Sequence, residues 1–450
     1  MLKASPFLHI LQMNDNYLAL YHSLSLEIAF VEKQLFESCK SGNNFAAFNN
    51  ESKSVLDSLV QIGLLIKENS DGLELFNLYQ AALEYPSINI LYLLLTDACN
   101  LRCGYCYFLA NMDKGYEFSF MKKETAIAAI DMFGRCIAKS DSKDQQIVIY
   151  GGEPLLNRQT LLTALRYIDK AKEKQILPAH VSVTINTNGI LLDDEIIEQA
   201  KKSKAVIAIS IDGPKEIHDK KRIYQSGKES FNDVIKGYNL AKSAEARLGI
   251  CITVDEHNIF RLEDVVRWTI NELEANGMGF NILIENSQNM TEADYGKYSR
   301  LAAKKLIECF KIARGKGVYE DRIMRRVKCF VEKEPVLSDC GGCGLQIVVS
   351  PDGKIGTCQA FCGSKKYFVS EPFETFEPEK HQFWKEWRSR SPLSMDECRN
   401  CIALGNCGGG CPYSAYKRHG TLWSLDDRFC VHAKTTVEFL IRDLWQKQNQ

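Results

Sequence analysis

The sequence predicts an α/β protein: a parallel sheet with helices outside it, a small α+β unit in front and a cysteine-rich unit behind. Three observations support this. From Ile88 to Asn276, apolar runs of strand length alternate with segments of helical periodicity. The strand runs are continuously apolar, as strands covered on both faces are. Beyond Cys329, glycine and cysteine become frequent and periodicity fades.

Residues 1–82 read as a separate unit. Phe7–Met13 and Tyr17–Tyr21 are strand-like around the turn Asn14-Asp15-Asn16. Glu51–Ile62 spaces Val55, Leu59 and Ile62 as a helix does; Gly63 ends it and Leu64–Lys67 follows as a strand. This order predicts a winged-helix-like domain. Gln80–Ser87 is a connector. Residues 88–315 then carry strands at Ile88–Leu95, Gln146–Tyr150, Val181–Asn186, Ala205–Ile211, Leu248–Val254 and Gly279–Ile284. Between them run helical patterns at Lys123–Ala138, Gln159–Gln175, Asp193–Lys202, Ser230–Ala244 and Arg261–Asn276. Such alternation means parallel strands joined by outer helices, with function on the loops after the strands' C-terminal ends. Glu292–Arg314 is a long helix leading out. Residues 329–435 form the cysteine-rich unit, and residues 436–450 belong to a last helical pattern at Val431–Lys447. There is no internal repeat or low-complexity tract.

The chain has 450 residues, enough for two or three domains. Hydrophobic residues at 45% and charged residues at 25% are ordinary for a globular protein, and a net charge of -1 is no nucleic-acid footprint. The start, Met1-Leu2-Lys3-Ala4-Ser5-Pro6, lacks a signal-peptide layout, and no apolar run approaches the ~18 residues of a membrane span. A cytoplasmic enzyme without membrane or nucleic-acid partners is expected. Its 17 cysteines are clustered, three at 99–106 and nine between Cys340 and Cys430, which favours metal ligation over a disulfide framework. Cys39, Cys136, Cys251 and Cys309 stand apart in apolar or helical surroundings and are expected in the core.

Cys99, Cys103 and Cys106 follow the first strand with CxxxCxxC spacing. Three thiolates this close hold a cubane iron–sulfur cluster by three irons, leaving the fourth open for chemistry; a zinc site is the plainer alternative. Tyr107 and Phe108 are placed to shield it. The loops after the next three strands carry Tyr150-Gly151-Gly152-Glu153-Pro154, Thr187-Asn188-Gly189 and Ser210-Ile211-Asp212-Gly213-Pro214, with Arg222 beyond. Glycine pairs allow close backbone approach, hydroxyls both donate and accept, and arginine clamps carboxylates, but turn chemistry explains the same residues. The second cysteine group comprises Cys340, Cys343, Cys358, Cys398, Cys401, Cys407, Cys411 and Cys430. A pair of zinc sites, one on Cys398, Cys401, Cys407 and Cys411, is its plainer reading.

These motifs resemble the radical S-adenosylmethionine (SAM) superfamily, whose fold is a partial (β/α)6 barrel. The resemblance implies that Cys99, Cys103 and Cys106 hold a 4Fe–4S cluster whose open iron binds SAM. It implies that Gly151, Gly152 and Glu153 bind the SAM amino group, that Thr187, Asn188 and Ser210 contact other parts of SAM, and that Arg222 meets a carboxylate. The second group resembles the SPASM extension with two auxiliary 4Fe–4S clusters. Carried over, Cys343, Cys358 and Cys411 hold the first and Cys398, Cys401, Cys407 and Cys430 the second. Cys340 is the first choice for the remaining ligand; Cys329, Cys362 or a substrate thiolate compete.

The three units together resemble maturases of ribosomally made peptides. Residues 1–82 then hold the leader of a cysteine-containing precursor peptide as an added strand. A flavodoxin- or ferredoxin-type donor supplies electrons. Thioether crosslinking of cysteine to carbon is the expected reaction; carbon–carbon crosslinking, epimerisation and anaerobic sulfatase maturation to formylglycine are the alternatives. The last needs an aspartate after the cysteine equivalent to Cys358, where this chain has Gln359. A cluster protein without catalysis is a rival of another class. Asp212, Asp352 and Glu153 are equal candidates for a base.

Overall fold

The computed structural model describes residues 2–40, 50–108, 116–138, 140, 142–283 and 291–449. Its strands are β1 (Leu2–Ala4), β2 (Leu8–Gln12), β3 (Tyr17–His22), β4 (Ile28–Glu32), β5 (Leu65–Lys67), β6 (Ile90–Thr96), β7 (Gln146–Gly151), β8 (Ser182–Thr187), β9 (Val206–Ser210), β10 (Arg247–Val254), β11 (Gly277–Ile282), β12 (Tyr319–Glu320), β13 (Gln346–Val349), β14 (Ile355–Gly356) and β15 (Phe368–Val369). β6 to β11 pair in parallel, in chain order. Helices Lys123–Ile137, Arg158–Glu173, Asp194–Lys202, Phe231–Ser243, Leu262–Asn271 and Glu292–Gly315 accompany them. The main core lies between these helices and the sheet's outer face, where Leu91, Leu93, Ile147, Ile149, Ile185, Ile207, Ile250 and Ile252 are buried.

Side chains alternate across a strand, so the other face of each strand is set by the same register. That face carries Tyr92, Tyr150, Asn186, Ser210, Cys251 and Asn281, all less buried than their neighbours. Small and polar residues line a lumen over β8 to β11, while Tyr92 and Tyr150 pack with Leu94, Phe108 and Val348 in a second, smaller cluster. Cys251 therefore faces the lumen and not the core expected of it. Cys309 is in the core and Cys136 packs against it, while the side chain of Cys39 lies outside the described residues.

The six predicted strands and five predicted inter-strand helices all form. The last barrel strand begins at Gly277, since two glycines weaken its signal, and Ile284 lies outside the described residues. The helix expected to reach Asn276 ends at Asn271; Glu274 then takes a left-handed φ of 53° and turns the chain. The C-terminal helix begins at Asp427, earlier than expected, because the Asp426 carboxylate accepts from the Phe429 N–H at 3.4 Å. Cys430 thus lies on a helix.

Two features lie beyond the periodicity. β13 pairs in parallel with β6, Gln346 opposite Ile90, so the cysteine-rich segment extends the sheet at its open edge. Fully buried Trp384 donates its Nε1 hydrogen to the Gln346 carbonyl at 2.9 Å and fastens that strand. Near the N-terminus, β2, β3 and β4 form an antiparallel meander, with β1 against β5. Leu18 and Leu20 pack on helix Asn50–Gln61, while Ala19 and Tyr21 share a core with Phe330, Phe429 and Val437. Both faces of β3 are buried, so residues 1–82 and the C-terminal helix share packing.

His22 in this region is buried between two partners. The Ser25 N–H donates to its Nδ1 at 3.0 Å, leaving Nε2 to donate to the Ser5 hydroxyl at 3.0 Å. Burial, with the nearby His9 charge adding, lowers its pKa to about 4. The folded state keeps the ring neutral while the unfolded chain protonates it below ~6.5, so its contribution is intact above that pH and declines toward pH 4. The loss amounts to about 3 kcal/mol. Denaturant titrations between pH 7 and 4.5 should show a shallower decline in a His22→Gln variant, and parallel curves would contradict it.

Candidate active site

The loop after β6 is shaped by its own short polar side chains. The Thr96 hydroxyl donates to the Ser119 carbonyl at 2.7 Å and accepts from the Ala98 N–H at 3.1 Å. Asp97, buried, accepts from the Tyr116 hydroxyl and the Ser119 N–H, both at 2.6 Å. Farther on, the Arg102 N–H bonds the Ile223 carbonyl at 2.7 Å and the Gly104 N–H the Lys221 carbonyl at 2.9 Å. This pins Cys99, Cys103 and Cys106 into one group whose thiols sense one another. Burial raises Cys99 to about 12, with Glu153 adding; burial raises Cys103 to about 11 against the opposing charge of Arg222. Tyr107 meets the Tyr150 hydroxyl at 3.1 Å, and Phe108 is buried behind it.

The Gly-Gly-Glu segment is sewn to this loop. The Gly152 N–H donates to the Thr96 carbonyl and the Glu153 N–H to the Ala98 carbonyl, each at 2.8 Å. A Cβ on Gly151 would stand 2.2 Å from the Thr96 oxygen, and one on Gly152 2.3 Å from the Ala98 oxygen. The glycines therefore serve an approach of backbone to backbone. The buried Glu153 carboxylate accepts from the Thr187 hydroxyl at 2.7 Å, the Asn188 N–H at 2.7 Å and the Leu155 N–H at 3.1 Å. Burial raises its pKa to about 7 against these three donors. Thr187 is thus committed to Glu153, while Asn188 reaches the Asn100 side chain at 2.8 Å. Ser210 stands half-buried at the end of β9. Arg222 does not project freely: it donates to buried Asp212 at 2.8 and 3.2 Å and to the Thr253 hydroxyl at 3.3 Å, and Tyr105 donates to the same carboxylate.

The second cysteine group resolves into two sets. Burial raises all of Cys340, Cys343, Cys358 and Cys411; Cys340 also feels the other three, Cys358 feels Cys411 and Cys343, and Cys343 feels Cys411, while Asp426 adds to burial at Cys411. Cys398 senses Cys401, and Cys430 senses Cys407 and Cys398. This division separates Cys411 from Cys398, Cys401 and Cys407, against the zinc alternative. Cys329 shares a buried cluster with Cys401 and Cys407, where it donates to the Arg326 carbonyl at 3.2 Å and accepts from the Asn406 amide at 2.9 Å. Cys362 faces the Lys365 ammonium at 3.7 Å, with Asp97 and Asp352 near. Among the described residues no three such groups converge tightly enough for a single metal ion. A four-iron cluster spreads its thiolates more widely, and each set suits one.

Several site residues carried no motif. Arg390, almost fully buried, donates to the Gly409 carbonyl at 2.9 Å and the Ser424 carbonyl at 3.1 Å, and lies near Cys343, Cys398 and Cys411. Tyr92 lies near Cys340 and Cys358, and Tyr107 near Cys106 and Cys358, so tyrosines stand between the first cysteine set and the second. Tyr107 was marked by its place after Cys106, whereas Tyr92 is an ordinary strand residue that nothing in its spacing marked.

Residues 93–269 match the Radical SAM superfamily. The chain is 23% identical to the radical SAM cyclopropyl synthase TigE of Paramaledivibacter caminithermalis, covering 97% of this chain and 95% of that protein. It is 24% identical to the cysteine-type anaerobic sulfatase-maturating enzyme of Clostridium perfringens, over 72% of this chain and 89% of that one. In fold it is similar to SuiB of Streptococcus suis bound to its precursor peptide SuiA, with a TM-score of 0.54, 14% identity, and coverage of 96% of this chain and 100% of that chain. SuiB has also been solved bound to S-adenosylmethionine.

Gly152→Ala drives a methyl group into the Ala98 carbonyl and must part the two loops. Equilibrium binding of SAM to the reconstituted protein should weaken at least about tenfold, the effect of some 1.4 kcal/mol. Unchanged binding would contradict the role given to that contact.

Proposed function

Because this chain belongs to the radical SAM superfamily, we propose that it is a peptide maturase that oxidatively closes a new bond within a ribosomally made peptide. In this reading Cys99, Cys103 and Cys106 hold the SAM-binding cluster. Cys340, Cys343, Cys358 and Cys411 hold the first auxiliary cluster, and Cys398, Cys401, Cys407 and Cys430 the second. A cluster held by Cys99, Cys103 and Cys106 would supply the electron for reductive cleavage of SAM. The protein's own residues bind, orient and exclude water. Gly151, Gly152 and Glu153 bring the second loop to SAM, with Asn188 and Ser210 beside it. Thr187 and Arg222 are positioning residues, the first for Glu153 and the second for Asp212.

The observation that carries the reading is the three-cysteine loop bonded backbone to backbone to a Gly-Gly-Glu segment, and the reading assigns the other eight cysteines to two sets of four. A set of three leaves a metal position for a substrate; a set of four does not. The auxiliary clusters then accept electrons and do not bind the peptide. A thioether from a substrate cysteine is the proposed product, its thiol handled by protein groups. Carbon–carbon ring closure is the second reading. It is favoured by the fourth thiol of the first auxiliary set and by the end-to-end likeness to a cyclopropyl synthase. Sulfatase maturation is disfavoured by Gln359, which accepts from the Gln346 amide at 3.2 Å and offers no base. For the leader, β2 and β4 each keep one edge unpaired among the described residues, and an extended segment adds to such an edge.

The test is anoxic incubation of reconstituted, reduced enzyme with SAM and the peptide encoded by a short cysteine-bearing reading frame beside its gene. Release of 5′-deoxyadenosine and loss of two hydrogens per crosslink are expected, and an unaltered peptide mass overturns the proposal. Alkylation of free thiols separates the products: a thioether removes one thiol per crosslink, and a carbon–carbon bond removes none.

A further inference from the structure

Closing a bond between two groups that each carried hydrogen releases one hydrogen atom, one electron and one proton. The proton needs an acceptor in the lumen, and most carboxylates near it are committed. Glu153 holds three donors. Asp212 holds Arg222, Tyr105 and the Thr253 N–H. Asp352 holds Ser350 and Lys365.

Asp321 differs. It opens helix Asp321–Glu332, directly after β12. Its Cβ lies 3.7 Å from where a Cβ on Gly279 would stand, and Gly279 pairs with Cys251 on the lumen face. At that separation the two would be in ordinary van der Waals contact, so Asp321 stands directly against this face of the strand. Asp321 is near enough to Cys251 to raise that thiol, which is therefore in the lumen's electrostatic field and not behind the sheet. The carboxylate is nonetheless 47% exposed. Its partner is Arg325, one turn on, at 3.1 Å. Arg325 leans toward Tyr92 on the far side of the lumen and lies 3.9 Å from Asp339, next to Cys340. The pair thus spans from the barrel wall to the first auxiliary set. Other groups around Asp321 cannot do its work. Burial raises Cys251 to about 11, so it stays protonated. Glu320 is buried and caps the helix through the Arg322 N–H at 2.7 Å and the Ile323 N–H at 2.9 Å. The Tyr319 hydroxyl only donates to Asp321, at 3.5 Å.

We propose that Asp321 is the general base that takes the proton released as the crosslink closes, and that Arg325 is a positioning residue that orients its carboxylate. The assignment rests on the oxidative-maturase reading. In the balance, the hydrogen atom goes to the deoxyadenosyl radical, the electron to an auxiliary iron–sulfur cluster and the proton to Asp321, while the new bond forms between the two peptide atoms. Without the base, hydrogen abstraction proceeds but closure stalls.

The probe is the same peptide from the neighbouring reading frame, with nucleoside and crosslink measured together. In Asp321→Asn the ratio of 5′-deoxyadenosine to crosslinked peptide should rise at least tenfold, and Asp321→Glu should restore part of the coupling. In Arg325→Gln the same ratio should rise, and Arg325→Lys should restore part of the coupling, since the carboxylate loses the partner that orients it. Cluster absorbance and the melting temperature report folding. An unchanged ratio in Asp321→Asn overturns the assignment and leaves the maturase reading standing. A parallel fall of nucleoside and crosslink, with no rescue by Asp321→Glu, marks a structural role and also overturns it. A wild-type enzyme that leaves the peptide untouched overturns both.

Discussion

The contact between two stretches of backbone, Thr96–Ala98 and Gly151–Glu153, organises the rest of the site. Two N–H···O bonds at 2.8 Å join them, and no side chain fits between. From one side of this seam runs the cysteine loop; from the other, the Glu153 carboxylate reaches to Thr187 and Asn188 on the next strand exit. Three successive strands are thereby locked at their C-terminal ends, where a barrel of this kind carries its chemistry. The rigid outer core of interlocked aliphatic side chains holds the strands in register, so the seam inherits its precision from packing far from it.

Charge is the second requirement. Thiols buried as deeply as these resist ionisation, and holding metal demands that they ionise. The protein places arginines where the thiols are. Arg222 opposes burial at Cys103, Arg390 at Cys343, Arg326 at Cys407 and Arg428 at Cys411. Each arginine is anchored elsewhere, to Asp212, to backbone carbonyls of the 409–424 stretch, to Asp339 and to Asp426. Their charges are thus fixed in place before any metal arrives, which lowers the reorganisation needed on binding.

Much of this was legible in the chain. Strands of Val, Ile and Leu declare themselves, and the CxxxCxxC loop and the glycine pair mark two strand exits outright. What periodicity concealed has a common cause: it lies in long-range pairing. β13 is four residues of apolar sequence whose partner is in a different third of the chain. Asp321 and Arg325 look like any charged pair on a helix surface until the backbone shows that the facing strand position is glycine. The expected division of eight cysteines into two sets comes from the family resemblance, since spacing alone groups Cys411 with Cys407. The motif residues Thr187 and Arg222 were found by pattern, but their partners, Glu153 and Asp212, give them tasks that pattern alone does not.

The joining of β13 to β6 has a consequence for how the chain is made. A ribosome delivers β6 some 250 residues before Gln346–Val349 emerge, so that edge stays bare through synthesis of the whole central barrel. A bare parallel edge is a template for the wrong strand of another copy. The N-terminal meander waits even longer, since one of its faces is covered by Phe330, Ala403 and Cys407 together with the helix Asp427–Gln448. Nascent chains of this protein therefore depend on protection until the last residues are out, and truncation from the C-terminal end exposes both surfaces at once.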